Sequence, residues 1–72
     1  MKEKIMNLIA DTLQVDRALI TEQTQMEDIE QWDSLMHVMI MGELEELGIS
    51  IPLDEAIEIT SVAEILKKAE EL

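Results

Sequence analysis

Ser34 and His37 stand three residues apart and Asp33 directly precedes the serine, so a carboxylate, a hydroxyl and an imidazole lie within one short stretch. If that stretch is helical, Ser34 and His37 share a face, as a nucleophile and its general base must. Nucleophilic catalysis needs more than the pair. No Gly-x-Ser-x-Gly turn lifts the hydroxyl out of a strand, and His37 is the only histidine in the chain. A Ser-His hydrolase is therefore set aside. His37 is expected instead on the helix surface, tuning contacts with partners or lying near a bound phosphate. Metal chemistry is set aside on similar grounds. An EF-hand loop needs acids at alternate positions, a central glycine and a closing glutamate, and no window fits. With no cysteine, no zinc-thiolate site can form. The acids at Glu43, Glu45 and Glu46, and at Glu70 and Glu71, read as solvated faces.

A different use of Ser34 suits its surroundings. Asp33 is a good N-cap, which puts the serine at the start of a helix. Free backbone N–H groups and the positive end of the helix dipole make that position favourable for a phosphate. A hydroxyl there can carry a phosphodiester with its charge partly offset, and a long preceding loop leaves it within reach of another enzyme. Serine is also an ordinary first-turn residue, so position alone makes Ser34 a candidate and no more.

Four elements must position it. Ile5, Leu8, Ile9 and Leu13 form one apolar stripe, predicting a helix over Lys2–Leu13. From Gln14 to Asp33 the periodicity fades, with apolar anchors at Val15, Leu19, Ile20, Met26, Ile29 and Trp32. A loop of that length in so small a chain is expected to be packed and functional. A second helix is predicted from Ser34 to Leu47, stopped by Gly48. Pro52 precedes a short third helix around Leu53–Glu58. Ser61, with Glu64 three residues on, has the capping-box pattern and opens a fourth, whose stripe is Val62, Ile65, Leu66, Ala69 and Leu72. These signals predict an all-α fold, a small four-helix bundle of three longer helices and one short, in a single domain over residues 1–72.

The second helix has two apolar sides. Met36, Ile40, Leu44 and Leu47 cluster on one, with Met41 at its edge. Leu35, Val38, Met39 and Gly42 cluster on another. A surface helix of a small domain needs only one such stripe, so either this helix is central and buried nearly all round or the second stripe faces a partner. The partner reading is preferred because exposed apolar patches usually mark binding sites.

Charge narrows the partner class. Seventeen acids against five bases give a formal charge of −12. That excludes nucleic acid, disfavours anionic membranes and favours basic patches on other proteins. Hydrophobic residues make up 47% of the chain, enough to argue against disorder, and Trp32 is the only aromatic residue, so the core must be aliphatic. No apolar run approaches the roughly 18 residues needed to span a bilayer, and the lysines near the N-terminus are not followed by a signal-peptide core. The expected location is the cytoplasm and the expected state a monomer.

Asp33-Ser34-Leu35 opening a helix resembles the phosphopantetheine-attachment motif of acyl carrier proteins. The resemblance extends along nearly the whole chain. Val15, Ile20-Thr21 and Met26 before Asp28-Ile29 are similar to the family's first loop, where Phe is usual at the place of Met26. Glu45-Glu46-Leu47-Gly48 with Ile51-Pro52 resembles the close of its second helix, and Ile59-Thr60-Ser61-Val62 the lead-in to its last. The resemblance implies a carrier that catalyses nothing itself. A phosphopantetheinyl transferase would move 4'-phosphopantetheine from coenzyme A onto Ser34, and the arm's thiol would hold an acyl or aminoacyl group as a thioester. Asp33 and Leu35 would be read by the transferase, Asp33 helping to hold its magnesium ion. Leu35, Val38 and Met39 would dock acyl- or aminoacyl-loading and acyl-using enzymes with basic patches. Met26, Ile40, Met41, Leu44, Leu47, Ile51, Ala56 and Ile59 would line the space for the cargo. Glu30-Gln31-Trp32 stands where the family usually has Gly and a small or apolar residue. Met36, His37 and Met39 stand where fatty-acid carriers tend to have acids. Trp32 is similar to carriers devoted to specialised pathways, and the missing acids point away from the usual fatty-acid synthase partners. The competing reading is an acidic helical adaptor that docks on proteins without any prosthetic group.

Overall fold

The computed structural model describes residues 1–71, and among them four helices form: α1 (Lys2–Leu13), α2 (Ser34–Glu46), α3 (Leu53–Ala56) and α4 (Val62–Glu70). This is the expected small bundle of three longer helices and one short. Leu72, assigned from the sequence to the α4 stripe, lies outside the described residues.

In α1 the buried residues are Ile5, Met6, Ile9, Ala10 and Leu13, an apolar face that packs on α2 and α4. Leu8 sits half-buried at its edge. The helix ends at Gln14, whose left-handed backbone (φ 58°) lets its N–H reach the carbonyls of Ala10 and Asp11.

The long connection from α1 to α2 is ordered by specific contacts. It contains two single 3₁₀ turns, Arg17–Leu19 and Met26–Asp28. Arg17 ties it to α1, with Nη2 on Glu3 (2.8 Å) and Nε on Asn7 (2.7 Å), while Nη1 donates to the Ile20 carbonyl. Thr24 Oγ1 accepts from Thr21 N–H and donates to the Leu19 carbonyl, both at 2.9 Å. Met26 N–H donates to Thr60 and Val62 N–H to Thr24, an isolated antiparallel bridge that fastens the loop to the start of α4. Ile20, Ile29 and Trp32 enter the core, and Val15 and Met26 pack partly against it. Leu19, expected as another anchor, is exposed instead: Ile20 next to it takes the inward place.

α2 closes as a Schellman motif. Gly48 adopts φ 88°, Gly48 N–H donates to Glu45 and Ile49 N–H to Leu44, and Ile49 is buried beneath the turn. α3 is a single turn, shorter than the predicted Leu53–Glu58. The chain leaves the helix after Ala56, where Ile59 N–H bonds back to the Ala56 carbonyl and the Ile59 side chain drops into the core. α4 buries Val62, Ile65 and Leu66 and leaves Ala69 half-buried. Among the described residues no helix is long and apolar enough to cross a membrane.

The start of α4 shows how its cap is held. Ser61 Oγ accepts from Glu64 N–H (3.3 Å), and Glu64 Oε1 accepts from Thr60 N–H, Thr60 Oγ1 and Ser61 Oγ. The Thr60 N–H bond is the main reason the Glu64 carboxyl is held below its ordinary 4.5. A carboxylate with a lowered value adds stability above the ordinary value and loses it as pH falls through the lowered one. Comparing wild type with Glu64→Gln by denaturation isolates this group from the other acids. The stability difference between them should be present at pH 7, begin to shrink near pH 4.5 and vanish below that. A difference independent of pH would contradict the charged cap.

Candidate functional site

Asp33 is extended (φ −101°, ψ −174°) and caps α2. Its Oδ1 accepts from Met36 N–H at 2.9 Å, and its carbonyl accepts from His37 N–H at 2.9 Å. The amides of Ser34 and Leu35, the first two of the helix, then have no backbone acceptor among the described residues. The Ser34 side chain is exposed beside them. The chain has two other serines. Ser61 is buried and committed to the α4 cap, and Ser50 is exposed in the loop between α2 and α3, two residues before the N-cap of that single-turn helix. Ser34 alone joins exposure to the open end of a 13-residue helix. That arrangement fits a phosphodiester: an accessible hydroxyl, two free N–H donors and the favourable end of the dipole.

The two sides of α2 separate as the wheel predicts except at Leu47. Ile40, Met41 and Leu44 are buried, Ile40 and Leu44 completely. Leu35, Val38 and Met39 are 70%, 55% and 48% exposed, and Gly42 continues their row. Leu53 of α3 and Ile57 just after it are also exposed. The row starts one residue after Ser34, and no charged side chain interrupts it before Glu43.

Of the residues expected to line a cargo space, Ile40, Met41, Leu44, Ile51, Ala56 and Ile59 belong to the packed core, and Met26 packs partly against it. Leu47 does not join them. It is the C-cap of α2, exposed, and it lines a groove with Lys4, Leu8 and Glu43 on the α1 side. The Schellman turn sends Ile49 inward in its place.

His37 is the main correction to the sequence reading. Expected on the surface, it is 6% exposed and sits in a buried polar relay. Trp32, 3% exposed, donates its indole N–H to His37 Nδ1 at 2.9 Å, and His37 Nε2 lies 2.8 Å from the Ala56 carbonyl. The reason is register. His37, Ile40, Met41 and Leu44 fall at i, i+3, i+4 and i+7, the buried row of the helix, while Met36 lies at its half-buried edge. The relay satisfies every buried polar atom involved, and among the described residues no buried side-chain nitrogen or oxygen lacks a partner. Among the described residues no group of three or more His, Cys, Asp or Glu side chains converges as metal ligands would.

Comparison with known proteins adds to this geometry. A family described as "Phosphopantetheine attachment site" matches residues 3–68. The acyl carrier protein of Rickettsia typhi is 35% identical over 71 residues, covering 97% of this chain and 83% of that protein. Those of Rickettsia massiliae and Rickettsia canadensis are 34% and 32% identical over the same coverage.

The two sides of α2 predict opposite responses to the same truncation. Met39→Ala should change stability by less than about 0.5 kcal/mol, as exposed sites do. Ile40→Ala, one residue along, should cost about 2–5 kcal/mol because it opens a cavity in the core. Chemical denaturation of both variants measures this. A large loss for Met39→Ala would place that residue in the core.

Proposed function

The chain belongs to the phosphopantetheine-attachment family of acyl carrier proteins, and from that premise we propose that Ser34 is the residue that takes the arm. The protein is a carrier and not a catalyst. Its covalent 4'-phosphopantetheine supplies the thiol that a chain without cysteine lacks, and holds acyl groups as thioesters. The observation that carries the assignment is that Ser34, alone of three serines, is exposed at the open, Asp33-capped start of a long helix.

A phosphopantetheinyl transferase is the loading partner. Ser34 Oγ forms the new bond to the phosphorus that bears pantetheine in coenzyme A. The pyrophosphate P–O bond breaks, adenosine 3',5'-bisphosphate leaves with the electron pair, and the hydroxyl proton passes to the transferase or to water. The free amides of Ser34 and Leu35 offset the charge of the resulting phosphodiester. Asp33 uses Oδ1 for its cap, which leaves Oδ2 to meet the transferase's magnesium ion.

Leu35, Val38 and Met39 form the docking row for enzymes that load and use the cargo. Methionine suits a face that meets several partners in turn, because its flexible thioether adapts to each. Charge brings those partners in. Lys2, Arg17 and Lys68 are engaged with Glu22, Glu3 and Glu55, so little positive field remains against the 17 acids. Basic docking patches are attracted over distance, and association slows as salt rises. The cargo, acyl or aminoacyl, rests against the side of the core formed by Met26, Ile40, Met41, Leu44, Ile51, Ala56 and Ile59. The uncharged start of α2 and the Trp32 approach support service in a specialised pathway.

Intact-mass spectrometry after incubation with coenzyme A and a broad-specificity phosphopantetheinyl transferase tests the assignment. Wild type should gain one phosphopantetheine and Ser34→Ala none, with the variant still folded because Asp33 supplies the cap. Modification of the variant would move the site elsewhere. Absence of modification on a folded wild type would favour an adaptor that never receives an arm.

A further inference from the structure

The Trp32–His37–Ala56 relay plays no part in the chemistry above, yet it is a buried polar assembly in a core otherwise built from aliphatic side chains. Its chemistry fixes its state. An indole N–H can only donate, so His37 Nδ1 must accept and carries no proton. The ring proton therefore sits on Nε2, which donates to the Ala56 carbonyl. One neutral tautomer satisfies both contacts, and no other does.

The relay also has a particular place in the chain. Trp32 lies two residues before Ser34 and His37 three residues after it, so the bond between their side chains closes a short loop around the serine. The loop is reinforced from outside by Trp32 N–H on the Ile29 carbonyl (3.0 Å) and from inside by the Asp33 cap. The third member, Ala56, is the last residue of α3, a single turn too short to hold its own position. His37 thus joins three pieces of backbone: the approach to Ser34, the first turn of α2 and the end of α3.

We propose that Trp32 and His37 are positioning residues for loading. Resting on the assignment of Ser34 above, the relay holds the serine hydroxyl at a fixed place relative to the exposed Leu35–Val38–Met39 row on which the transferase docks. Docking energy comes from that row. Reaction requires in addition that the hydroxyl arrive in line with the phosphorus, and a displacement of about 1 Å can cost on the order of a hundredfold in rate. Loss of the relay should therefore lower turnover and leave docking intact, which is a signature that general destabilisation does not give.

The test uses the full chain with coenzyme A and a broad-specificity transferase, measuring kcat and KM for the carrier by intact mass. Trp32→Phe keeps an aromatic body in the core and removes the donor together with part of the indole. His37→Leu removes the acceptor and the Nε2 donor together. His37→Gln can accept from the indole through Oε1 and donate to Ala56 through Nε2, so it is the rescuing variant. Trp32→Phe and His37→Leu should each reduce kcat by about tenfold or more with KM within about twofold. His37→Gln should recover most of the loss. Since Trp32 is the only tryptophan, its single indole N–H signal in an NMR spectrum reports the relay directly. That signal should be protected from exchange with water in wild type and His37→Gln, and lose protection in His37→Leu. If His37→Leu fails to fold, Trp32→Phe against wild type still decides the matter. An unchanged kcat in folded Trp32→Phe, or a rise in KM alone, would overturn the proposal. If wild type itself takes no arm, the fault lies with the assignment of Ser34, and the exchange measurement still tests the relay.

Discussion

Ile40 and Leu44 of α2 are completely buried in one aliphatic cluster with Ile5, Ile9 and Leu13 of α1 and Ile65 of α4. That contact holds α2 by one side only. Each such side chain contributes about 1.5–3 kcal/mol when removed from water, and a chain of this length has few to spare. Without phenylalanine or tyrosine, the core depends on branched side chains meeting closely along helix faces. The long loop completes the seal with Ile20, Ile29 and Trp32. Because the inner side of α2 is enough to anchor it, the outer side is free to stay apolar and exposed. On the docking role proposed for Leu35, Val38 and Met39, that division lets one small surface meet successive enzymes.

The position of Ser34 follows from the same constraint. On the proposed assignment its hydroxyl has to be open to a transferase, while the backbone on both sides must not move with it. Exposed residues at helix ends are ordinarily the least restrained part of a fold. Here the Asp33 cap fixes the first turn from the surface, and the Trp32–His37–Ala56 bonds fix it from beneath. A buried imidazole is costly unless both ring nitrogens find partners, and in this core both do. The loop between α1 and α2 gives the second support. Arg17 secures one end to α1, and the bridge at Gln25 and Ser61 secures the middle to α4.

Much of this was legible in the amino-acid pattern. The Ile5–Leu8–Ile9–Leu13 spacing gave the whole of α1, and Gly48 and Ser61 marked a stop and a start that the backbone uses as such. The exposed row beginning at Leu35 was visible as a second stripe that no small domain requires. What escaped was contact between distant segments. His37 occupies a buried helical register, but its polarity argued for the surface, and only the indole of Trp32 and the carbonyl of Ala56 make its burial possible. Leu19 and Leu47 were misplaced for a related reason. Hydrophobicity alone does not show which of two neighbours a 3₁₀ turn or a Schellman turn will send inward. The short α3 likewise ends where Ile59 can reach the core, a tertiary requirement with no local signal.

The start of α2 is the proposed place of attachment for the arm. Fragmentation mass spectrometry of loaded wild-type protein tests this without altering any residue. The added phosphopantetheine should map to Ser34, on peptides containing Asp33-Ser34-Leu35, with none on Ser50 or Ser61. Mapping to either of those serines would contradict it, since neither combines an exposed hydroxyl with the open end of a long helix.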